Sequence, residues 1–113
     1  MYKVDDHNNI LLIRGDSIPG ISILVLKENG EEYVMQQGDE LKFTMKKKTE
    51  DRAPVLQKTI ENGQLFIDPE DTELLECGVY RYDVQLTYTR NGRRIVDTII
   101  PPANFKLLEE VTW

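Results

Sequence analysis

The side chains best suited to chemistry in this sequence are a serine, a histidine and a cysteine that stand far apart along the chain. Ser17 follows a short apolar run in the segment Gly15-Asp16-Ser17-Ile18, where a serine can act as a nucleophile. Such catalysis requires a histidine general base within hydrogen-bond reach. The single histidine, His7, precedes the serine and lies in a polar N-terminal stretch. The single cysteine, Cys77, has no adjacent basic residue to activate its thiol, so we expect it to be inert.

The segment around Ser17 resembles the first block of the GDSL-type hydrolases, in which a serine at the end of a strand is the nucleophile. The late Asp-x-x-His block of that family is missing from this sequence. The helices that alternate with strands in a hydrolase sheet are missing as well. We therefore interpret the segment as a turn in which Asp16 and Ser17 bond to local backbone, and expect no catalytic residue. The tripeptide Arg14-Gly15-Asp16, which also spells an integrin-binding motif, is interpreted as part of the same turn.

Five acidic residues between positions 68 and 76 could supply oxygen ligands to a cation. A calcium loop spaces its ligands at alternate positions around a central glycine, and Pro69 and Leu74-Leu75 interrupt that pattern. These residues instead predict a short helical turn near residues 69–75, capped by Asp68 and begun by Pro69. One histidine and one cysteine also exclude a multi-histidine site, a cysteine-built zinc site and an internal disulfide. We expect no metal ion and no cofactor.

The amino-acid composition further limits which classes of protein this chain can belong to. The chain has 113 residues, of which 40% are hydrophobic and 30% charged, and we expect one globular domain over residues 1–113. Its net charge of −6 argues against nucleic acid as a partner, because phosphate binding needs a basic face. The acidic start and the short apolar runs predict no signal peptide and no membrane span.

Apolar residues recur with a period of two, which predicts strands. In the longest such stretch, Gly78 to Tyr88, alternate residues from Tyr80 onward form an apolar and aromatic face. A second clear stretch runs from Leu41 to Lys46. The other predicted strands are Ile10–Arg14, Ile21–Lys27, Val55–Ile60, Gln64–Asp68, Arg94–Ile100 and Asn104–Val111.

Turn signals separate these strands at short intervals. Asn29-Gly30, Asn62-Gly63 and Asn91-Gly92 each lie between two strand-like runs, as in tight hairpins, and residues 16–20 form another reversal. Together with the single helical turn, they predict an all-β fold: an immunoglobulin-like antiparallel β-sandwich of seven or eight strands. Such sandwiches carry a tyrosine corner at the start of one strand, and this chain has Gly78, Tyr80 and Tyr82 at the corresponding place. Tyr80 would cap the corner, and Tyr82 would occupy the place of a disulfide cysteine.

The candidate partner contacts are two basic clusters and the terminal tryptophan. Lys46, Lys47 and Lys48 lie where a strand enters a loop that also holds Arg52, and Arg93 and Arg94 flank the Asn91-Gly92 turn. Each cluster is typical of a solvated strand edge. If the two met in space, they could bind an acidic partner. Trp113 would either fold back on the sandwich or anchor in a partner's pocket.

The order of these elements resembles the immunoglobulin-like domain at the N-terminus of phage baseplate upper proteins and small phage or prophage proteins of similar layout. The family pattern is a GDS turn, a G-x-x-(L/V)-x-F-x-(V/M) strand, I-x-(P/L)-x-x-T, G-x-Y-x-(Y/A)-(D/E) and T-I-x-P-x-x-F-x-(I/L). In this chain it is carried by Gly15-Asp16-Ser17, Gly38 to Met45, Ile67 to Thr72, Gly78 to Asp83 and Thr98 to Leu107. The last of these segments has one residue more than its pattern between Pro101 and Phe105. The resemblance implies a virion structural component without catalytic residues.

We therefore expect a non-enzymatic phage or prophage structural or adaptor protein of the tail or baseplate. Its partners would be other phage structural proteins or copies of itself, with no nucleic acid and no membrane, and it would be made in the cytoplasm of a bacterial host. The alternative is a carbohydrate- or receptor-binding sandwich, which would need exposed planar aromatic side chains. Tyr2, Tyr33 and Trp113 are the candidates for that role.

Overall fold

The computed structural model describes residues 2–110, so the candidate contact Trp113 lies outside the described residues. Strands and one short helix make up the regular structure of this part of the chain. In order, these elements are β1 (Tyr2–Val4), β2 (Ile10–Ile13), β3 (Ile18–Ser22), β4 (Glu40–Lys46), β5 (Leu56–Thr59), β6 (Gln64–Ile67), α1 (Pro69–Thr72), β7 (Gly78–Arg90) and β8 (Arg93–Leu108).

The described strands form two sheets, which confirms the prediction of an all-β sandwich. The large sheet has the order β1-β2-β8-β7-β4-β5, and the small sheet pairs β3 with β6. The expectation of a wholly antiparallel sandwich was wrong in one place, because β2 runs parallel to β8, with Ile10 opposite Phe105. A parallel pair needs a long crossover between its strands, and here 79 residues, 14–92, separate β2 from β8.

Alternating burial along β4 and β7 builds the core. Leu41, Phe43 and Met45 of β4 are buried, and so are the four inward residues of β7 from Tyr80 to Leu86. Rings from three neighbouring strands pack together at the centre: the Phe43 ring stacks on the Tyr82 ring with centroids 5.2 Å apart, and both rings contact Phe105. The small sheet covers this face with Ile18, Leu65 and Ile67, all buried.

Three predicted boundaries were wrong. The strand predicted at Ile21–Lys27 begins earlier and ends at Ser22, so residues 18–20 are strand and not turn. Pro19 is tolerated there because both strands of a two-stranded sheet are edges. The predicted strands Arg94–Ile100 and Asn104–Val111 are one strand, β8, which continues through Pro101-Pro102 where its register against β7 shifts. The helix, expected near residues 69–75, ends at Thr72.

Of the three Asn-Gly turns predicted between strands, only Asn91-Gly92 joins two paired strands. Asn62-Gly63 closes an isolated bridge between Glu61 and Gln64, because β5 and β6 belong to different sheets. Asn62 and Gly63 both have positive φ angles, as do Asn91 and Gly92 in the β7–β8 turn. At Asn29-Gly30 only the glycine has a positive φ. That turn joins an isolated bridge between Leu26 and Glu32, not two strands.

Candidate functional site

Two tyrosines of β7 tie its start to neighbouring backbone. The Tyr80 hydroxyl donates a hydrogen bond to the carbonyl oxygen of Glu76 at 2.5 Å, four residues upstream, as a tyrosine corner requires. The Tyr82 hydroxyl donates to the carbonyl oxygen of Asn8. Both side chains are buried, and burial raises the pKa of Tyr82 to about 12. Gly78 is the first residue of β7. The two tyrosines therefore attach β7 to neighbouring backbone, and both hydroxyls are occupied by these bonds.

The residues that could have formed a serine hydrolase are not brought together. Ser17 is exposed immediately before β3, and His7 is exposed in the turn between β1 and β2. The His7 backbone N–H donates to the carboxylate of Asp5 at 2.9 Å. Within residues 2–110, no hydrogen bond joins the Ser17 hydroxyl to the His7 ring. Arg14, from the same turn as Ser17, forms two hydrogen bonds with Glu110, at 3.0 and 2.9 Å.

The acidic run organises α1. Asp71 accepts a hydrogen bond from the Asp68 backbone N–H at 2.8 Å, which closes the first turn. Lys58 of β5 contacts both carboxylates, with Nζ 3.3 Å from Asp68 and 2.7 Å from Asp71. In the described part of the chain, no three His, Cys, Asp or Glu side chains are grouped to hold a metal ion.

The two predicted basic clusters lie at opposite ends of β7 and do not meet. Lys46 is paired with Arg81 near the start of β7, whereas Arg93 is paired with Arg90 at its end. Nine residue-to-residue steps along β7 lead from Arg81 to Arg90, a distance of about 30 Å. The combined patch for an acidic partner therefore does not form.

The individual cations of these clusters have different surroundings. Lys47 is 3.6 Å from Glu76 in an exposed ion pair, and the Lys48 backbone N–H donates to Asp51 at 3.1 Å. Arg93 and Arg94 are exposed at the hairpin tip, and within residues 2–110 no carboxylate lies within ion-pair distance of either. Lys46 is half-buried and faces a pocket on the sheet.

One side of β8 is unpaired over most of its length. β2 pairs with β8 only at residues 105–108, and β7 occupies the other side. Among the described residues, no backbone–backbone hydrogen bond reaches that open side between residues 94 and 103. We name this stretch, residues 94–103, the free edge. Within it, Pro101 and Pro102 have no N–H group, and the Pro102 carbonyl oxygen accepts a hydrogen bond from Arg81. Elsewhere along the free edge, unpaired N–H and C=O groups are a template for strand addition.

An apolar groove of about 330 Å³ runs beside the free edge, where the chain leaving β3 separates from β8. Ile99 and Ile100 of β8 form one wall, and Ile21 and Ile23 form the other. All four of these side chains are half-buried, so the groove is open to solvent. We name it the edge groove. Its residues were assigned to strands from the sequence, but their convergence depends on how the two sheets cross.

A second pocket, of about 300 Å³, lies on the face of the large sheet that points away from the core, and we name it the outer cleft. Polar side chains from β4, β5 and β7 form its floor, and the loop after β4 forms its rim. The charged and polar residues that line it are Thr44, Lys46, Thr49, Arg52, Gln57, Arg81, Asp83 and Gln85. Of these, Lys46 and Arg52 belong to the first basic cluster predicted from the sequence.

Of the aromatic residues proposed to stack on sugars, Tyr33 contacts other side chains of the protein and Tyr2 is half-buried. The Tyr33 hydroxyl donates to the Asp39 carboxylate at 2.6 Å, and this bond raises the pKa of Tyr33 to about 12. The Tyr33 ring also packs against Tyr88, with centroids 6.0 Å apart. Tyr2 is half-buried in β1. Neither ring offers a flat exposed platform.

In residues 2–110, no helix is long and apolar enough to cross a membrane. No protein-family model matches this chain, and no curated protein does either.

Proposed function

We propose that this chain is a non-enzymatic structural or adaptor domain that assembles with other proteins, in the setting of a phage or prophage tail or baseplate. The observation that carries the proposal is the free edge of β8 beside the edge groove. An unpaired strand edge next to an apolar groove is the surface on which an extended segment of another protein can add as a strand. Main-chain hydrogen bonds then supply affinity, and the groove selects the side chains.

The hairpin geometry specifies which backbone groups an incoming strand would use. Arg90 and Arg93 flank a two-residue turn, so they form a hydrogen-bonded pair of the β7–β8 ladder. Hydrogen-bonded and non-bonded pairs alternate along an antiparallel ladder. Arg94, Val96 and Thr98 therefore direct their N–H and C=O groups away from β7, toward the free edge.

The occupant that fits this surface is an extended, partly acidic segment of a different protein. Its apolar residues would enter the edge groove, and its carboxylates would meet Arg93 and Arg94 at the hairpin tip. Two copies of this chain would each carry a net charge of −6, which opposes self-association at low ionic strength. The tail or baseplate setting is supported by the resemblance of the element order to the phage baseplate family.

A proline at the free edge tests the proposal. We would co-express the chain with each protein encoded beside its gene and detect complexes by native mass spectrometry. Val96→Pro removes an N–H group that has no partner in the free chain, so the fold is expected to persist while the complex is lost. Val96→Thr keeps the N–H group and is the matched control, expected to retain the complex.

Several results would contradict the proposal. A complex that still forms with Val96→Pro would show that the contact does not lie at the free edge. If the chain associates only with itself, and Val96→Pro abolishes that association, the added strand comes from a second copy of this chain and not from a different protein. Neighbouring genes of metabolism and no tail protein would remove the phage setting. Hydrolysis of an ester that disappears in Ser17→Ala would replace the assembly role by an enzymatic one.

A further inference from the structure

The outer cleft contains a pair of like charges directly opposite each other. Lys46 of β4 and Arg81 of β7 are cross-strand partners on the same face of the large sheet. Such a pair is destabilising, and the Asp83 carboxylate, which has a coulombic interaction with Lys46, offsets part of the repulsion. In the described residues, no carboxylate lies within 4.0 Å of the charged nitrogens of either side chain. Arg52, from the rim of the cleft, is a third cation without an ion-pair partner in that part of the chain.

Arg81 is held in one orientation. Its Nη1 group donates to the side-chain oxygen of Asn104 at 2.6 Å, and Nη2 donates to the carbonyl oxygen of Pro102 at 3.2 Å. A guanidinium has five N–H donors, so three remain for a ligand. Because the side chain is already ordered, a ligand that binds it would not bear the cost of immobilising it.

Hydrogen-bond acceptors line the same cleft. Asp83 is half-buried, and within residues 2–110 its carboxylate has no hydrogen-bond partner. Burial raises the pKa of this carboxyl group, and the nearby charge of Lys46 opposes that increase. Gln57 donates its amide to Thr44 at 3.1 Å, and Gln85 donates its amide to Thr98 at 3.4 Å. Each glutamine keeps its side-chain oxygen as an acceptor. Three acceptors beside three cations suit a ligand with hydroxyl hydrogens and a negative charge.

We infer that the outer cleft is a binding site for a small polyhydroxy ligand that carries an oxyanion, with sugar acids and sugar phosphates as the chemical class. Lys46, Arg52 and Arg81 hold the oxyanion, because charge-assisted bonds from Arg and Lys are the strong ones for carboxylate and phosphate. The cleft volume of about 300 Å³ accommodates a single sugar ring. This site lies on the outer face of the sheet and is independent of the free edge.

Asp83 gives the site its selectivity. Its negative charge repels a bare inorganic anion, whereas it accepts hydrogen bonds from the hydroxyl groups of a sugar. The cleft should therefore prefer a molecule with both features over phosphate alone or a neutral sugar alone.

The test is a titration of the ¹⁵N-labelled full chain, followed by amide chemical shifts, with glucuronate, glucose 6-phosphate, inorganic phosphate and glucose. Both acidic sugars should bind about tenfold more tightly than phosphate or glucose, with shifts confined to β4, β5, β7 and the loop between β4 and β5. Absence of binding by the acidic sugars would overturn the inference. If phosphate binds as tightly as the acidic sugars, the cleft binds an adventitious ion only. If glucose binds as tightly as the acidic sugars, the three cations do not contribute to binding.

Three variants assign the roles. Arg81→Lys keeps the charge but loses the planar fork, and should weaken the acidic sugars; Lys46→Met should weaken them as well. Lys106→Met removes a cation of β8 that does not line the cleft and should leave binding unchanged. Asp83→Asn should strengthen phosphate binding and weaken the preference for acidic sugars. Equal effects of Lys46→Met and Lys106→Met, or no change in preference with Asp83→Asn, would overturn the inference. Neither outcome of this test bears on the complex that Val96→Pro tests, because the two sites are separate.

Discussion

The hydroxyl of Tyr82, in the middle of β7, donates a hydrogen bond to the backbone carbonyl oxygen of Asn8, 74 positions earlier in the chain. Asn8 has a φ of 64° in the turn between β1 and β2. The next residue, Asn9, accepts a hydrogen bond with its side-chain oxygen from the Asn104 backbone N–H at 2.9 Å. The N-terminal hairpin is therefore attached to the centre of the large sheet by side chains as well as by the β2–β8 ladder.

Tyr82→Phe should destabilise the fold by about 1 kcal/mol, because it leaves the Asn8 carbonyl without its partner while keeping the ring in the core. Thermal unfolding should show a loss of roughly 4–8 °C per kcal/mol for a domain of this size. Tyr88→Phe, which removes an exposed hydroxyl 3.3 Å from Asp97, is the matched control and should change little. Equal effects of the two changes would contradict the role of the Asn8 contact.

Stability should fall as pH rises above the ordinary tyrosine value of about 10. Burial raises the pKa of Tyr82 to about 12, and the bond to Asp39 raises the pKa of Tyr33 to about 12. Between these two pH values the unfolded chain loses phenol protons that the folded chain retains, so unfolding becomes easier. Denaturant unfolding from pH 9 to about 12 measures the slope. A double variant, Tyr33→Phe with Tyr82→Phe, should flatten it, and an unchanged slope would be evidence against both shifts.

Thr72→Val should cost about 1–3 kcal/mol. Thr72 is fully buried, and its hydroxyl oxygen accepts the Gly15 backbone N–H at 2.9 Å. Valine has the same shape but leaves that donor unpaired. Thr72→Ser keeps the oxygen and should lose less. Denaturant midpoints of the two variants compare them directly, and a serine variant less stable than the valine variant would show that the methyl group matters more.

Phe43→Leu should destabilise the protein far more than the same change at Phe66. Phe43 is 0% exposed and contacts the rings of Tyr82 and Phe105, so a smaller side chain leaves a cavity and loses ring contacts, at a cost of about 1–2 kcal/mol. Phe66 is 48% exposed, and surface changes are usually within about 0.5 kcal/mol. Calorimetry of both variants tests the assignment of the core face.

Gly92→Ala should destabilise the β7–β8 hairpin by about 1–2 kcal/mol, because alanine is strained at the glycine's φ of 74°. No atom lies within 4 Å of an added Cβ at this position, so the backbone alone is the cause. Amide exchange should accelerate at residues 88–95 first. Unchanged exchange there would mean that the turn does not determine the hairpin register.

Local patterns in the sequence were sufficient for strands β2, β4, β5, β6 and β7, whereas β1 was not predicted, β3 was misplaced and β8 was divided in two. Alternation in β4 and β7 identifies the core face because side chains of a strand point to opposite faces at every step. Asn62-Gly63 and Asn91-Gly92 identify tight turns because both positions need a positive φ. The start of the helix at Asp68-Pro69 follows from the chemistry of helix ends. Each of these depends on residues within a few positions of one another.

The tertiary structure alone decided which surfaces exist. Lys46 and Arg81 meet through the register of two strands 35 positions apart, and the free edge exists because β2 pairs with only the last residues of β8. Neither arrangement has a local signature, since it depends on which strands become neighbours and where their pairing stops. The one histidine and one cysteine limited the chemistry from the start. The folded sheet then placed three cations in a cleft and left one edge of β8 open beside an apolar groove.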